Sequence, residues 1–433
     1  MKKSSLLIFV LFNTLIFGQL YFPPTTGNQW DTRPLSDFNW CQDKVDNLYA
    51  LLTANNTKSF ILLKDGKIVL EQYFDGHTAT SPWYWASAGK TLTATMVGIA
   101  QQENFLNINN KSSDYLGVGW TSCTLAQENA ITVRHQLTMT TGLNDGVSDQ
   151  TCYAPSCFQY LAPPGTRWAY HNGPYTILDQ VVANATGVSL NQYTTSKLKT
   201  PTGMTGNFIA VDNNNVFWST ARSMARFGLL MLNGGNWNGN QILNTNYFNQ
   251  MVNTSQNINK SYGYLWWLTG KESFMVPQLQ VTFPGNLMPN APADTYMALG
   301  KNGQLINVVP SQNLVFIRMG EAPSNDLVPF LLNDQIWGLI NDLGCNMSTT
   351  SFNKNDIILY PNPAPDMVHV NLPNHLTAKD CTIHLISAQG QILSTVVPKA
   401  HQTSIDLKGY AAGTYLIYVF CEGEIMTSRL IKK

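Results

Sequence analysis

The sequence predicts an α+β protein: an antiparallel sheet flanked by helices, a helical lobe, and a small C-terminal β-sandwich. A hairpin pattern occupies residues 59–70, where two apolar runs flank the turn Lys64-Asp65-Gly66. Helical periodicity follows in the middle of the chain, and the last 77 residues contain short strands at regular spacing with turn signals between them. With 433 residues, the chain is long enough for two or more domains.

Strand and helix patterns continue towards the C-terminus of the first domain. Residues 220–232 and 327–343 have helical periodicity, whereas residues 262–268 and 314–319 are rich in strand-forming side chains. This order of elements fits an antiparallel sheet with helices packed on it and a separate helical lobe. We expect the functional site between the two lobes.

The first residues have the pattern of a secretory signal. Lys2 and Lys3 precede an apolar run over residues 6–17. No later stretch reaches the about 20 apolar residues that a bilayer span needs, so we expect an exported chain with no stable membrane span, and an uncleaved N-terminal anchor is the alternative. The expected limits are 1–19 for the signal, 20–345 for the first domain, 346–356 for a polar linker, and 357–433 for the sandwich.

Composition excludes several classes of partner and cofactor. The chain has 26 basic and 26 acidic residues, and only 12% of its residues are charged. It therefore lacks the basic surface that binds nucleic acid or an anionic membrane. It also contains no metal-ligand spacing and no phosphate or dinucleotide fingerprint, so we expect no metal and no other cofactor.

Seven cysteines in an exported chain permit disulfides and leave one thiol over. Cys152 and Cys157 could close a small loop, and Cys41 with Cys345 could join the ends of the first domain. The others are Cys381 and Cys421 in the C-terminal module, and Cys123, which has no obvious partner.

Ser87-Ala88-Gly89-Lys90 is the first of three short groups that together point to acyl transfer. It lies at the start of a predicted helix with one apolar face, so side chains three residues apart can meet. A serine hydroxyl needs a nearby base, and Lys90 is in position to serve. The helix N-terminus favours negative charge, and the N–H of Ser87 could face an oxyanion. Alone, the group is a weak signal, because a serine helix cap followed by a surface lysine is a common arrangement and the more frequent explanation.

Tyr170-His171-Asn172 is the second group. In an extended segment Tyr170 and Asn172 point to the same side, and His171 points away from them. We expect nearby ammonium groups to lower the pKa of the Tyr170 phenol, so that it could share a proton with lysine. Asn172 could orient a substrate carbonyl, although a core tyrosine beside a turn asparagine is the ordinary explanation.

Lys301-Asn302-Gly303 is the third group and lies between two predicted strands. The glycine permits a close approach of the backbone, and Gly303 could therefore border the substrate. The N–H of Gln304 is the expected second oxyanion donor, with Lys301 adding positive charge. A hairpin turn with a solvated lysine is the alternative.

With these three groups in this order, the chain resembles the serine β-lactamase and penicillin-binding-protein superfamily, and most closely its class C β-lactamase, esterase and aminohexanoate-dimer-hydrolase-like branch. Residues 131–143 and 219–235 also resemble that branch. The resemblance implies a serine hydrolase with an acyl-enzyme intermediate. Its site would consist of Ser87 as nucleophile, Lys90 and Tyr170 as the general base pair, Asn172 as a polar orienter, and Lys301 as an electrostatic anchor.

The third group departs from the β-lactamase pattern. β-Lactamases usually have Lys-Thr-Gly there, and the threonine helps to hold the antibiotic's carboxylate. This chain has Asn302 at the threonine position, so we expect ester or amide hydrolysis with weak lactamase activity.

Other types of serine hydrolase fit the sequence less well. Trp85 occupies the first glycine position of a Gly-x-Ser-x-Gly elbow, which disfavours an α/β-hydrolase. His135 and His171 are the nearest histidines, and we expect His171 to be structural.

The C-terminal module resembles a type IX secretion sorting domain. Tyr360-Pro361-Asn362-Pro363 opens it, short strands follow around residues 368–370, 382–386 and 413–419, a turn is expected at residues 388–391, and Lys432-Lys433 closes it. The resemblance implies passage through the periplasm to the surface or exterior of a Gram-negative cell, with the secretion machinery as a partner.

Two functional classes stay open at this point. The first is a hydrolase for a small ester, amide, lactam or D-amino-acid peptide. The second is a penicillin-binding or cell-wall-binding protein with little or no turnover. An adhesion or carbohydrate-binding role of the C-terminal sandwich is a weaker third.

Overall fold

A computed structural model describes residues 20–323, 326–345, 357–373, 381–387, 391–421 and 424–433. The chain divides between Gly344 and Cys345 into two compact units. The expected signal, the expected linker and residues 388–390 of the expected turn lie outside the described residues. Within the described part, no helix combines the length and the apolarity that crossing a bilayer requires.

The first unit combines one large sheet with several short ones. Its strands are β1 (Thr57–Lys64), β2 (Lys67–Tyr73), β3 (Trp83–Tyr84), β4 (Asn207–Val211), β5 (Asn214–Ser219), β6 (Asn236–Trp237), β7 (Asn240–Gln241), β8 (Trp267–Leu268), β9 (Ser273–Phe274), β10 (Phe283–Pro284), β11 (Tyr296–Gly300), β12 (Gln304–Val309) and β13 (Leu314–Gly320). Its helices are α1 (Gln42–Ala54), α2 (Lys90–Gln102), α3 (Ser113–Leu116), α4 (Leu125–Asn129), α5 (Val133–Leu137), α6 (Asn172–Thr176), α7 (Leu178–Thr186), α8 (Leu190–Thr194), α9 (Thr200–Thr202), α10 (Ala221–Leu232), α11 (Thr245–Met251) and α12 (Phe330–Asn341).

The large sheet is antiparallel and has the strand order β2-β1-β13-β12-β11-β8 among the described residues. The predicted hairpin is confirmed, because β1 pairs with β2 across a turn at Asp65 and Gly66. Both turn residues have positive φ, 53° and 81°, the conformation that tight hairpin turns require.

Helices cover both faces of the sheet. Val315 faces α10, where a Cβ on Gly228 would lie only 2.5 Å from the Val315 Cγ1 atom. The next residue, Phe316, faces α12, and its ring centroid lies 5.2 Å from that of Trp337. Since successive strand residues point to opposite faces, the two helices lie on opposite sides, and every residue of β11, β12 and β13 is buried.

Two predicted elements differ from the structure. The strand expected at 262–268 contracts to Trp267–Leu268, because Leu265 has a φ of 61° that breaks an extended backbone. The predicted helix after Ser87 forms as α2, but all its residues from Lys90 to Ala100 are buried instead of one apolar face. Its threonines are satisfied inside the protein; Thr95, for example, donates to the Thr91 carbonyl oxygen.

The second unit is the expected small β-sandwich. Its strands are β14 (Ile358–Tyr360), β15 (Met367–Asn371), β16 (Cys381–Ser387), β17 (Ile392–Val396), β18 (Gln402–Asp406), β19 (Gly413–Cys421) and β20 (Glu424–Lys432). They form two sheets, β14-β15-β18 and β17-β16-β19-β20. Val370 of one sheet and Ile383 of the other belong to the same buried cluster, so the sheets share a core. Cys381 and Cys421 face each other across β16 and β19 and form a disulfide.

Candidate functional site

Ser87 lies in a 3₁₀ turn, Ala86–Gly89, that leads directly into α2. Ala86, the residue before the serine, has a φ of 46°, which is uncommon for a residue with a side chain. Neighbouring contacts hold this conformation. The Trp85 backbone N–H donates to the Phe217 carbonyl at 2.8 Å, and its indole N–H donates to Ser219 Oγ at 2.8 Å. The half-buried serine is therefore presented on a fixed turn.

Lys90 contacts the serine directly. Its Nζ atom lies 2.8 Å from Ser87 Oγ, within hydrogen-bond distance. The lysine is 3% exposed, and its Nζ atom lies 5.0 Å from the ring centroid of Tyr170 and 4.0 Å from that of Tyr175. Burial lowers the pKa of Lys90 from 10.5 to about 7. At neutral pH a substantial fraction of this amine is therefore unprotonated and can accept a proton.

Tyr170 lies in the same buried group. It is 7% exposed and stacks on Trp267 with ring centroids 5.6 Å apart. The expected lowering of its pKa is wrong: burial raises the pKa of Tyr170, and its hydrogen bond with Ser87 offsets only part of that effect. The side chain of Lys301, which could have lowered this pKa, is exposed to solvent instead of buried beside the phenol. Tyr170 thus stays a neutral phenol, able to donate and relay a proton.

Asn172 and His171 both have buried polar atoms without a hydrogen-bond partner among the described residues. Asn172 begins α6, and its Oδ1 atom is buried without a hydrogen-bond partner among the described residues. His171 is 2% exposed and packs edge-on against Phe158, with ring centroids 6.3 Å apart. Burial lowers its pKa to about 4, so the imidazole is neutral. Neither ring nitrogen of His171 has a partner in the described part of the chain.

The third group approaches the serine through Gly300. A Cβ on Gly300 would lie 2.5 Å from the Trp85 carbonyl oxygen, 2.8 Å from the Ala88 nitrogen and 3.1 Å from the Ser87 nitrogen. Only glycine permits this contact between the end of β11 and the nucleophile turn. Lys301 follows immediately, at the start of the turn that joins β11 to β12.

Asn302 and Gln304 use their side chains to hold this turn. Asn302 Nδ2 donates to the Tyr84 hydroxyl at 2.7 Å and to Glu321 Oε1 at 3.0 Å. Gln304 is fully buried; its Nε2 donates to the Gly320 carbonyl at 2.6 Å, and its Oε1 accepts from the Gly320 N–H at 3.1 Å. The turn is thus fastened to the end of β13.

Sequence reasoning missed three residues around this site. The ring of Tyr175 lies over the Lys90 amino group, Trp267 stacks on Tyr170, and Glu321 accepts a hydrogen bond from Asn302. Tyr175 is three residues after Asn172 at the start of a helix, a spacing that could have signalled it. Trp267 and Glu321 lie outside the three sequence groups, and no local pattern marks them.

A disulfide borders the second group. Cys152 and Cys157 are bonded, as expected, and the Cys152 carbonyl oxygen would lie 2.6 Å from a Cβ on Gly173, which follows Asn172. Cys41 and Cys345 are each disulfide-bonded, and Cys123 is a free, half-buried thiol.

Comparison with protein families agrees with this geometry. The family model described as Beta-lactamase matches residues 54–326. The chain belongs to the beta-lactamase family. A family model of the secretion system C-terminal sorting domain matches residues 358–433, which indicates type IX secretion to the cell surface or exterior. This beta-lactamase-family chain is also 23% identical over 299 residues to an uncharacterized protein of Alkalihalophilus pseudofirmus, covering 60% of this chain and 82% of the relative.

Solved structures share the beta-lactamase and penicillin-binding-protein fold. A provisionally assigned 6-aminohexanoate-dimer hydrolase from Bacillus anthracis matches with a TM-score of 0.56 at 20% identity, over 76% of this chain and 90% of the other. A family VIII carboxylesterase matches with a TM-score of 0.54 at 16% identity, over 73% and 99%. An octameric penicillin-binding protein homologue from Pyrococcus abyssi matches with a TM-score of 0.52 at 14% identity, over 90% and 96%. Because the sequence identities are only 14–20%, these matches show a shared fold and nothing more.

Proposed function

We propose that this protein is an exported serine hydrolase that cleaves a small ester or amide through an acyl intermediate on Ser87. The observation that carries the proposal is the 2.8 Å contact between Ser87 Oγ and a buried lysine whose pKa is about 7. A lysine with that pKa can act as a base near neutral pH, whereas an exposed lysine cannot.

Acylation then proceeds with a balanced transfer of protons. Ser87 Oγ attacks the substrate carbonyl carbon while its proton moves to neutral Lys90 Nζ. As the tetrahedral intermediate collapses, the bond to the leaving group breaks, and the leaving oxygen or nitrogen takes a proton from the Lys90–Tyr170 pair. The raised pKa of Tyr170 suits this role, because the phenol keeps a proton to donate. In deacylation, water attacks the acyl carbon while the Lys90–Tyr170 pair takes its proton. The bond to Ser87 Oγ then breaks, Oγ takes a proton from the same pair, and the free acid is released.

Backbone N–H groups would stabilise the oxyanion. The Ser87 N–H lies in the 3₁₀ turn that precedes α2, beside Gly300. The second donor would come from the turn after Gly300, where the N–H groups of Lys301 and Gln304 are the two candidates. The unpartnered Asn172 Oδ1 supports its role in orienting the substrate.

The third group favours neutral esters and amides over β-lactams, which carry a carboxylate. The Asn302 amide is occupied by Tyr84 and Glu321, so the position that holds a threonine in lactamases offers no free donor. The resemblance to the class C and esterase branch and to the family VIII carboxylesterase fits this choice.

The sorting domain and the expected signal at residues 1–19 together support a route of export from the cell. The chain would cross the inner membrane of a Gram-negative cell, fold in the periplasm and leave through the type IX machinery.

The test is turnover by the purified mature protein of p-nitrophenyl butyrate, p-nitroanilides, nitrocefin and D-alanyl peptides, each compared with Ser87→Ala. We expect continuous turnover of the neutral ester, nitrocefin turnover at least about 100-fold slower, and loss of both in the variant. A single burst of product without further turnover would favour a penicillin-binding protein instead. Undiminished ester turnover in Ser87→Ala would refute the proposal.

A further inference from the structure

Arg318 is a fully buried guanidinium beside the third sequence group. It lies on β13 with 0% exposure. Its Nη1 donates to the carbonyl oxygens of Gly303 at 2.6 Å and Asn302 at 3.2 Å, its Nε donates to Thr57 Oγ1 at 2.9 Å, and its Nη2 donates to the Asn55 carbonyl. No carboxylate lies within ion-pair distance of it in the described residues.

Two glycines make room for this side chain. A Cβ on Gly303 would lie 2.1 Å from Arg318 Nη1, and a Cβ on Gly320 would lie 2.6 Å from Nη2. Gly303 belongs to the third group, and Gly320 is the residue that Gln304 holds with its side chain. The absence of a side chain at Gly303 thus admits the guanidinium.

Burying an unpaired charge costs several kcal/mol, and an apolar residue at the same place in the sheet would avoid that cost. Even with its pKa lowered to about 9 by burial, Arg318 remains charged at neutral pH. Three of its hydrogen-bond acceptors are backbone carbonyls, and two of those belong to the turn that follows Gly300. The arginine therefore fixes the backbone of that turn.

We propose that Arg318 is a positioning residue for acyl transfer at Ser87, which holds the backbone from Gly300 to Gln304 so that a turn N–H faces the developing oxyanion. The inference rests on the proposed function. A peptide unit is planar, so a carbonyl held by Arg318 directs the N–H of the following residue the opposite way. Anchoring the carbonyls of Asn302 and Gly303 thus sets the orientation of the whole turn, and the positive charge favours an anion at its far side.

The test compares Arg318→Lys and Thr57→Val with the control Arg226→Lys in the full mature chain. Arg226 is a matched control, because it is 5% exposed and donates to the carbonyl oxygens of Thr202 at 2.8 Å and Pro24 at 2.7 Å, away from the third group. For each variant we would measure kcat and KM for a neutral ester, Ki for an arylboronic acid that mimics the tetrahedral intermediate, and Tm.

Arg318→Lys should lower kcat by about 10²- to 10³-fold, the usual effect of losing one oxyanion donor, and should weaken boronate binding by a similar factor with KM nearly unchanged. Thr57→Val removes only one anchor of the guanidinium, so kcat should fall and Ki should rise, each by about three- to tenfold. If Arg318→Lys does not fold, this variant alone tests the role of Arg318. Arg226→Lys should lower Tm and leave Ki unchanged.

The inference is overturned if Arg318→Lys or Thr57→Val folds with a lowered Tm but has the same Ki for the boronate as Arg226→Lys. That result would make Arg318 purely structural. It is distinct from failure of the proposed function, which would appear as wild-type protein insensitive to the boronate or as ester turnover retained in Ser87→Ala, and which would remove this inference as well.

Discussion

The protonation of Lys90 should set the lower pH limit of ester hydrolysis. The lysine is 3% exposed, and its Nζ atom lies near the rings of both Tyr170 and Tyr175. This burial lowers the pKa of Lys90. Lowering the pKa from 10.5 to about 7 corresponds to about 5 kcal/mol in favour of the neutral amine. The structure therefore makes the lysine a base without a neighbouring cation to depress its pKa.

The expected profile of kcat/KM follows from the neutral fraction of Lys90. Below pH 7 the rate should fall about tenfold per pH unit, and above it the rate should level off. Between pH 8 and pH 9 the increase should be about 1.1-fold, whereas a lysine with an ordinary pKa would give about tenfold.

The assay is initial-rate hydrolysis of an uncharged ester at constant ionic strength from pH 5 to pH 9.5. Asp179 must be controlled for, because burial raises its pKa to about 7 as well. It accepts hydrogen bonds from Asn215 at 2.9 Å and Thr93 at 3.5 Å and is not in contact with the serine in the structure. Asp179→Asn should therefore keep the inflection near pH 7. An inflection that vanishes in Asp179→Asn, or that lies near pH 10 in the wild type, would refute the assignment of Lys90 as the base.

Three further outcomes follow from the same contacts. Tyr170→Phe should slow acylation by about two to four orders of magnitude in a stopped-flow burst assay, and an unchanged burst rate would exclude Tyr170 from proton transfer. Gly300→Ala should lower the free energy of urea unfolding by about 1–3 kcal/mol and kcat by at least about tenfold, because its Cβ would lie 2.5 Å from the Trp85 carbonyl oxygen. The control Gly338→Ala, whose Cβ would meet only one side-chain atom at 3.8 Å, should lower neither stability nor kcat. Equal losses in the two variants would contradict this prediction. Lys90→Met should increase the free energy of unfolding, and the increase should be about 2–3 kcal/mol larger at pH 6 than at pH 9. The reason is that Lys90 binds its proton with a pKa of about 7 in the folded protein but 10.5 in the unfolded chain, so protonation destabilises the folded wild type more at the lower pH. A pH-independent increase in thermal unfolding experiments would contradict the lowered pKa.

The local parts of the site could be predicted from the sequence. Ser87 and Lys90 are one helical turn apart, so their contact follows from helix geometry, and the structure confirms it. The hairpin at Asp65-Gly66 and the short strands of the C-terminal module follow in the same way from turn residues and alternation. Short-range periodicity and turn chemistry are sufficient for such features.

The electrostatics of the site could not be predicted, because they depend on burial by distant residues. The pKa of Tyr170 rises instead of falling, since Trp168, Tyr262 and Trp267 exclude water around it and Lys301 lies in solvent. The burial of α2 likewise depends on helices from other parts of the chain, such as α11, whose Tyr247 hydroxyl donates to the Ala94 carbonyl at 2.9 Å. Arg318 carries no local signal at all, because its partners come from the turn at residues 302–303 and from the start of β1.

Covalent labelling would show whether Ser87 is the nucleophile. The purified mature protein would be treated with a fluorophosphonate, which phosphonylates an activated serine with loss of fluoride, and the modified peptide would be found by mass spectrometry. We predict one adduct per chain, on Ser87, that is absent from Ser87→Ala and forms more slowly in Lys90→Met. An adduct on another serine, or labelling of Ser87→Ala at the wild-type rate, would contradict the assignment of Ser87 as the nucleophile.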